Sequence, residues 1–166
     1  MTLEQFWKTI EKAHAGADDD MDMKCELLHR DLHKLPAAEV KSFADHFDAC
    51  MDKAYTWPLQ GAAYIIGGGC SDDAFENFRA TLISLGRATF DRVVANPETL
   101  ADMDLTEETA FYEGFQYVAG DVHQELTGSL PKRAKPAPEE PSGAAWDEDH
   151  VADLFPDLAE KYGFEV

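Results

Sequence analysis

The sequence predicts an all-α fold: a compact multi-helix bundle with a Pro-rich strap and a short docked C-terminal helical segment. Three observations predict it. Apolar residues recur at spacings of three and four in successive stretches, opened by Ser, Thr or Asp cap signals and closed by Gly or Pro. No alternating strand pattern exceeds four residues, and there is no internal repeat. Four of the eight prolines crowd into residues 131–143, and the chain beyond them is again rich in large apolar side chains.

The elements follow in order. Thr2 and Gln5 form a capping box ahead of Leu3, Phe6, Trp7 and Ile10, so a first helix runs to about Gly16. Asp18, Asp19 and Asp20 supply the cap and first-turn charge of a second, with Cys25, Leu28, Leu32 and Leu35 as its inward stripe. Pro36 opens a third, in which Val40, Phe43, Phe47, Cys50 and Met51 face inward and Asp45, Asp48 and Asp52 outward. Thr56 and Pro58 start a nearly uncharged central helix whose Gly61, Ala62 and Ala63 permit close packing. Gly67, Gly68 and Gly69 break the chain. Ser71 caps a helix with Asp72 and Asp73 in its first turn and Phe75, Phe78, Leu82 and Leu85 inward, ended by Gly86. A shorter helix with Phe90, Val93 and Val94 stops at Asn96-Pro97, and a brief turn or helix follows. Thr106 then caps one long helix through Phe111, Phe115, Val118, Val122 and Leu126. This organisation makes residues 1–130 a helical domain, 131–145 a Pro-rich linker or strap, and 146–166 a segment whose Trp146, Val151, Leu154, Phe155, Leu158, Tyr162 and Phe164 pack back on it.

Lys and Arg number 14 against 33 Asp and Glu, a net charge of −19. A surface of that sign disfavours direct binding to nucleic acid or anionic lipid. No apolar run approaches a membrane span, and the charged N-terminus lacks a signal-peptide core, so a cytoplasmic protein is expected. Cys25, Cys50 and Cys70 are widely spaced and form no CxxC, which suggests neither a disulfide framework nor a zinc knuckle.

The segment AAYIIGGGCSDDAFENFRATLISLGR, with Phe6-Trp7 and Ile10 upstream, resembles the family called domain of unknown function forty-two-forty. The matching positions are Gly68, Gly69, Cys70, Ser71, Asp72, Asp73, Phe75, Phe78, Arg79, Leu82, Ile83 and Gly86, and the resemblance spans about residues 2 to 127. Gln60 and Thr81 depart from it, standing where that family's pattern has Trp. The resemblance implies a bacterial protein and the domain boundary, and carries no activity, cofactor or substrate with it.

Several groups could carry chemistry. A glycine run entering a helix N-terminus is a phosphate-binding shape, but Asp72 and Asp73 already occupy the anion's place and no P-loop Lys follows. Asp72 and Arg79 lie within about 20° on the helix, with Glu76 beside them. The row reads either as ion pairs that orient Arg79 or as a site where Arg79 takes a ligand's carboxylate or phosphate while an Asp takes an amine. Trp57 and Phe75 would form that site's apolar wall. Cys70 precedes a helix N-terminus, which favours a thiolate, but the two Asp residues oppose it. His29 and His33, with Cys25, trace one edge of the second helix without the HExxH general base, and no metal site or cofactor is predicted.

From Val93 to Pro131 there is no Lys or Arg, while Glu107, Glu108, Glu113, Asp121 and Glu125 stand among eight carboxylates. The leading expectation is therefore an acidic binding or regulatory module that uses these five against a protein partner with a basic surface. The alternative is a small-molecule-binding protein or enzyme, with Ser71, Asp72, Asp73, Arg79, Trp57 and Phe75 at the GGGCSDD turn. The oligomeric state is not encoded in any pattern here.

Overall fold

Local chemistry places the helix boundaries. In the computed structural model, which describes residues 1–165, Thr2 and Gln5 close their capping box ahead of α1 (Leu3–Gly16). Asp18 and Asp19 take left-handed φ values and turn the chain, and Asp20 caps α2 (Met21–His33) by accepting from the Met23 N–H. Pro36 opens α3 (Ala37–Lys53), and Thr56 caps α4 (Trp57–Gly67). Gly68, at φ 64°, ends α4 in the left-handed region, and the Gly69 N–H reaches back to the Tyr64 carbonyl at 2.9 Å. Ser71 caps α5 (Asp72–Ser84) by accepting from the Ala74 N–H at 3.1 Å. Then come α6 (Arg87–Ala95) and a 3₁₀ turn over Pro97–Asp102.

The bundle is built around α5, which packs against α1, α3, α4 and α6. Its Phe75, Phe78, Leu82 and Ile83 are buried. On α1, Phe6 meets Phe43 of α3 and Trp7 meets Phe90 of α6, so aromatic contacts join three helices. Among the described residues there is no strand, only an isolated bridge between Thr56 and Ser142.

Two expectations are corrected. The helix from Thr106 to Leu126 is not continuous: it divides into α7 (Glu107–Ala110), a 3₁₀ turn over Phe115–Tyr117 and α8 (Val118–Thr127). Gly114 makes the break at φ 149°, where a Cβ would also lie 3.0 Å from the Tyr112 ring. Phe111 turns to Phe78 and Phe115 to Phe47 from separate pieces, which reproduces helical spacing without one helix. Leu126 is exposed. On α2, the buried positions are Met21, Lys24, Leu28 and Leu32, whereas Cys25 and Leu35 are only half-buried.

The Pro-rich stretch lies over α3 and α4 as a strap. Arg133 Nη2 donates to both carboxylate oxygens of Asp52 at 2.7 and 2.8 Å, and Nη1 approaches Asp48 at 3.4 Å. The Ser142 N–H donates to the Tyr55 carbonyl, and the Trp57 N–H to the Ser142 carbonyl at 2.8 Å. Beyond it, Trp146 fills the notch left by Gly61, where a Cβ would come within 3.0 Å of the indole. The short helices α9 (Val151–Leu154) and α10 (Pro156–Lys161) dock on α4 and the Pro97–Asp102 turn, burying Val151, Phe155 and Leu158. No helix among the described residues is long and apolar enough to cross a membrane.

Candidate functional site

The glycine turn itself is not a pocket into which the predicted residues converge. Gly68 and Gly69 are used for the left-handed exit from α4, and Ser71 is spent on its cap. Asp72 and Asp73 are exposed and make no ion pair among the described residues. Next to them lies an open hollow lined by Gly67, Gly69, Ala74, Thr106, Glu107, Glu108 and Phe111. Burial and the neighbouring Asp72 push the Cys70 thiol up to about 11, so it stays protonated at neutral pH and is not the activated thiolate a nucleophile needs.

Arg79, about two turns further along α5, points elsewhere. Its Nη1 donates to the Met51 carbonyl at 2.9 Å and its Nε to the Phe75 carbonyl at 3.3 Å. Met51 belongs to the last turn of α3, so Arg79 satisfies a carbonyl that has no helical N–H and places a cation at the negative end of that helix. The guanidinium stacks over Tyr55 and Phe75, 4.5 and 4.8 Å from their centroids. Neither Asp72 nor Glu76 pairs with it. Trp57 is tied to the strap through its backbone N–H, and Phe75 is buried beneath Arg79.

The exposed edge of Arg79 lines a cleft of about 350 Å³ between α3, α5 and the strap. Asp48, Asp52, Glu76 and Gln116 supply its polar walls, and Arg133 and Pro138 of the strap its roof. Burial raises the Asp48 carboxyl above the ordinary range, with Arg133 pulling it back. Asp48, Asp52, Gln116 and Arg133 escaped the sequence reading, because the first two read as solvated faces and Arg133 sits in a stretch without periodicity. Their one available signal is that the strap's charged residues need carboxylates to land on.

A second cleft opens on the other face of α5, about 140° to 200° around from Arg79. It has a volume of about 410 Å³, and its lining includes His14, Lys24, Thr81, Met103 and Leu105. Lys24 is 1% exposed, and its Nζ donates to Ser84 Oγ at 3.1 Å. Burial pushes this lysine down to about 8, with Asp19 opposing the shift. Thr81 lies in this cleft, whereas Gln60 lies on α4.

The predicted acidic residues are spread over several elements. Glu107 and Glu108 form the first turn of α7, Asp121 lies in the first turn of α8, and Glu113 stands 3.5 Å from the Tyr117 hydroxyl. Glu125 is engaged by both imidazoles of α2: His29 Nε2 lies 3.0 Å from Oε1, and His33 Nε2 lies 3.4 Å from Oε2. Among the described residues no cluster of His, Cys, Asp and Glu is arranged to hold a metal ion.

No curated protein and no solved structure matches this chain. A family match does extend over residues 1–125, and so takes in α1 through most of α8, Arg79, Lys24 and the walls of both clefts, stopping short of the strap that carries Arg133. By that match the chain belongs to the family described as Protein of unknown function (DUF4240).

Proposed function

We propose that this domain binds a small ligand carrying both an anionic and a cationic group, in the cleft between Arg79 and the strap. The observation behind this reading is the way Arg79 is held. Backbone carbonyls and two aromatic rings fix it without neutralising it, and three of its five N–H donors have no protein partner among the described residues. A planar cation fixed in that way suits a carboxylate or phosphate. Glu76 makes no ion pair among the described residues and lines the same cleft, where it can take an ammonium group. The test is calorimetry with ω-amino acids of three to six carbons, with inorganic phosphate run separately, on wild type, Arg79→Gln and Glu76→Gln. Binding of the amino acids that is lost in both variants supports the reading. Binding of phosphate alone reduces it to an oxyanion site, and no binding of either class removes it.

A second reading rests on a different observation. Glu107, Glu108, Glu113 and Asp121 are exposed and make no ion pair among the described residues, in a chain of net charge −19. They suit a cytoplasmic regulatory contact with a basic protein surface, and they disfavour direct nucleic-acid binding. Changing Glu107, Glu108 and Glu113 to Gln should then slow association with a basic partner protein and flatten its salt dependence. Unaltered kinetics would leave the acidic run as a solubility feature.

A further inference from the structure

We propose that the cavity around Lys24 is a second ligand site, one that takes a small monocarboxylate with a short apolar body. The inference starts from an imbalance. Lys24 is buried at 1% exposure, and among the described residues no carboxylate forms an ion pair with it. Its single protein partner is the Ser84 hydroxyl, whose own proton goes to the Thr81 carbonyl at 2.6 Å. An ammonium has three donors, so two are left for whatever occupies the cavity. Buried charges in proteins are paired, because isolation in a low-dielectric interior is costly.

Two further buried polar groups lack partners on the same walls. Thr81 is 3% exposed and its Oγ1 makes no hydrogen bond, and His14 Nδ1 is likewise buried and unpaired. Unsatisfied buried groups are few in folded proteins, and among the described residues two of the five, on His14 and Thr81, belong to residues that line the same cavity as the unpaired cation. Lys24 can hold a carboxylate by charge, with the Thr81 hydroxyl as a second donor.

The remaining walls define the rest of the ligand. Met21, Leu85, Met103 and Leu105 are apolar, and about 410 Å³ is at the lower end of the range for small-molecule sites. Asp19 and Asp104 also line the cavity, and their charge disfavours a dianion such as phosphate. One buried cation, one hydroxyl donor, apolar sides and acidic neighbours together select a single negative charge on a small apolar frame.

The test uses the full chain and three probes: butyrate, its neutral isostere butyramide, and inorganic phosphate. Butyrate should bind wild type and raise its melting temperature, while butyramide should not, and any phosphate binding, which belongs to the Arg79 cleft, should be the same in wild type and Lys24→Met. Lys24→Met keeps the unbranched side chain up to Cε, removes the ammonium, and should weaken butyrate by about tenfold or more, the loss expected for one charge-assisted hydrogen bond. Thr81→Val should weaken it less, and Arg79→Gln should leave it unchanged. Retention in Lys24→Met with loss in Arg79→Gln would move the anion to the other cleft and overturn the proposal. Equal binding of butyrate and butyramide to wild type, or binding of neither, overturns it even if Lys24→Met fails to fold.

Discussion

The two faces of α5 treat a cation in opposite ways: Arg79 is half-buried and Lys24 is fully buried. On one face Arg79 meets a helix-terminal carbonyl, a second carbonyl and two aromatic rings. On the other, Lys24 meets one hydroxyl. Arg79 therefore contributes to the fold while still presenting free N–H groups to its cleft. Lys24 contributes little to the fold and costs it desolvation. Arginine tolerates the first role because its charge is delocalised and weakly hydrated, whereas an ammonium is a compact, strongly hydrated point charge. A lysine kept in such a place gains its partner from outside the chain.

The largest effect expected is one that breaks both faces together. Cutting the chain after Leu130 removes the Arg133 roof of one cleft. It also removes Lys161 and Tyr162, which donate to the carbonyls of Met103 and Leu105 in the wall of the other. With Val151, Phe155 and Leu158 no longer covered by and covering α4, the loss should be of order 5 kcal/mol or more, at about 1.5 to 3 kcal/mol per buried side chain. Urea denaturation of the truncated and full chains measures it, and equal midpoints would make the tail energetically independent.

Arg79→Ala sharpens the comparison. It should cost about 2 to 3 kcal/mol, from one unsatisfied carbonyl and two lost ring contacts. Ser71→Ala, at the N-terminus of the shared wall, should cost about 1 kcal/mol by removing the cap on the Ala74 N–H. Neither variant should alter butyrate binding, which depends on residues near the other end of α5 and on α2.

Lys24→Met should be the mildest in stability at neutral pH, unchanged or more stable by up to about 1 kcal/mol, since an unpaired buried charge is replaced by an apolar isostere. Its signature is in the pH dependence. Lys24 titrates near 8 in the folded protein against an ordinary value of 10.5, so between those values the unfolded chain binds the extra proton. Wild-type stability should therefore rise relative to Lys24→Met from about pH 8 to 10.5. The cysteines raised by burial, Cys70 to about 11 and Cys50 to about 12, act oppositely: their contribution is lost as pH rises above 9. They are common to both proteins and cancel in the difference. His14, Asp19 and Cys25 are the titratable groups coupled to Lys24, and Asp104 shares its cavity. Parallel stability curves for the two proteins would show that Lys24 is not held in this way.

Some of this was readable from local pattern and some was not. The capped starts at Thr2, Asp20, Thr56 and Ser71 follow from side-chain oxygens bonding nearby N–H groups, a contact made within three residues. Lys24 was missed for the converse reason. Met21, Leu28 and Leu32 mark the buried face of α2, and Lys24 occupies its i+3 position, but a lysine carries no apolar signal, whereas Cys25 beside it does. The break at Gly114 was missed because Phe111 and Phe115 keep a spacing of four on either side of it, and only their separate partners, Phe78 and Phe47, show that the helix has divided.

By itself the sequence determined the all-α class, the helix starts capped by Thr2, Asp20, Thr56 and Ser71, the Pro-rich strap and the apolar tail, because each depends on forces between residues close in the chain or on composition alone. Tertiary structure decided which charges meet. Arg133 reaches Asp52 across 81 positions, Lys24 reaches Ser84 across 60, and Glu125 reaches His29 across 96. Charge pairing and desolvation depend on distance in space and on what water is excluded, and neither quantity is written in the spacing along the chain.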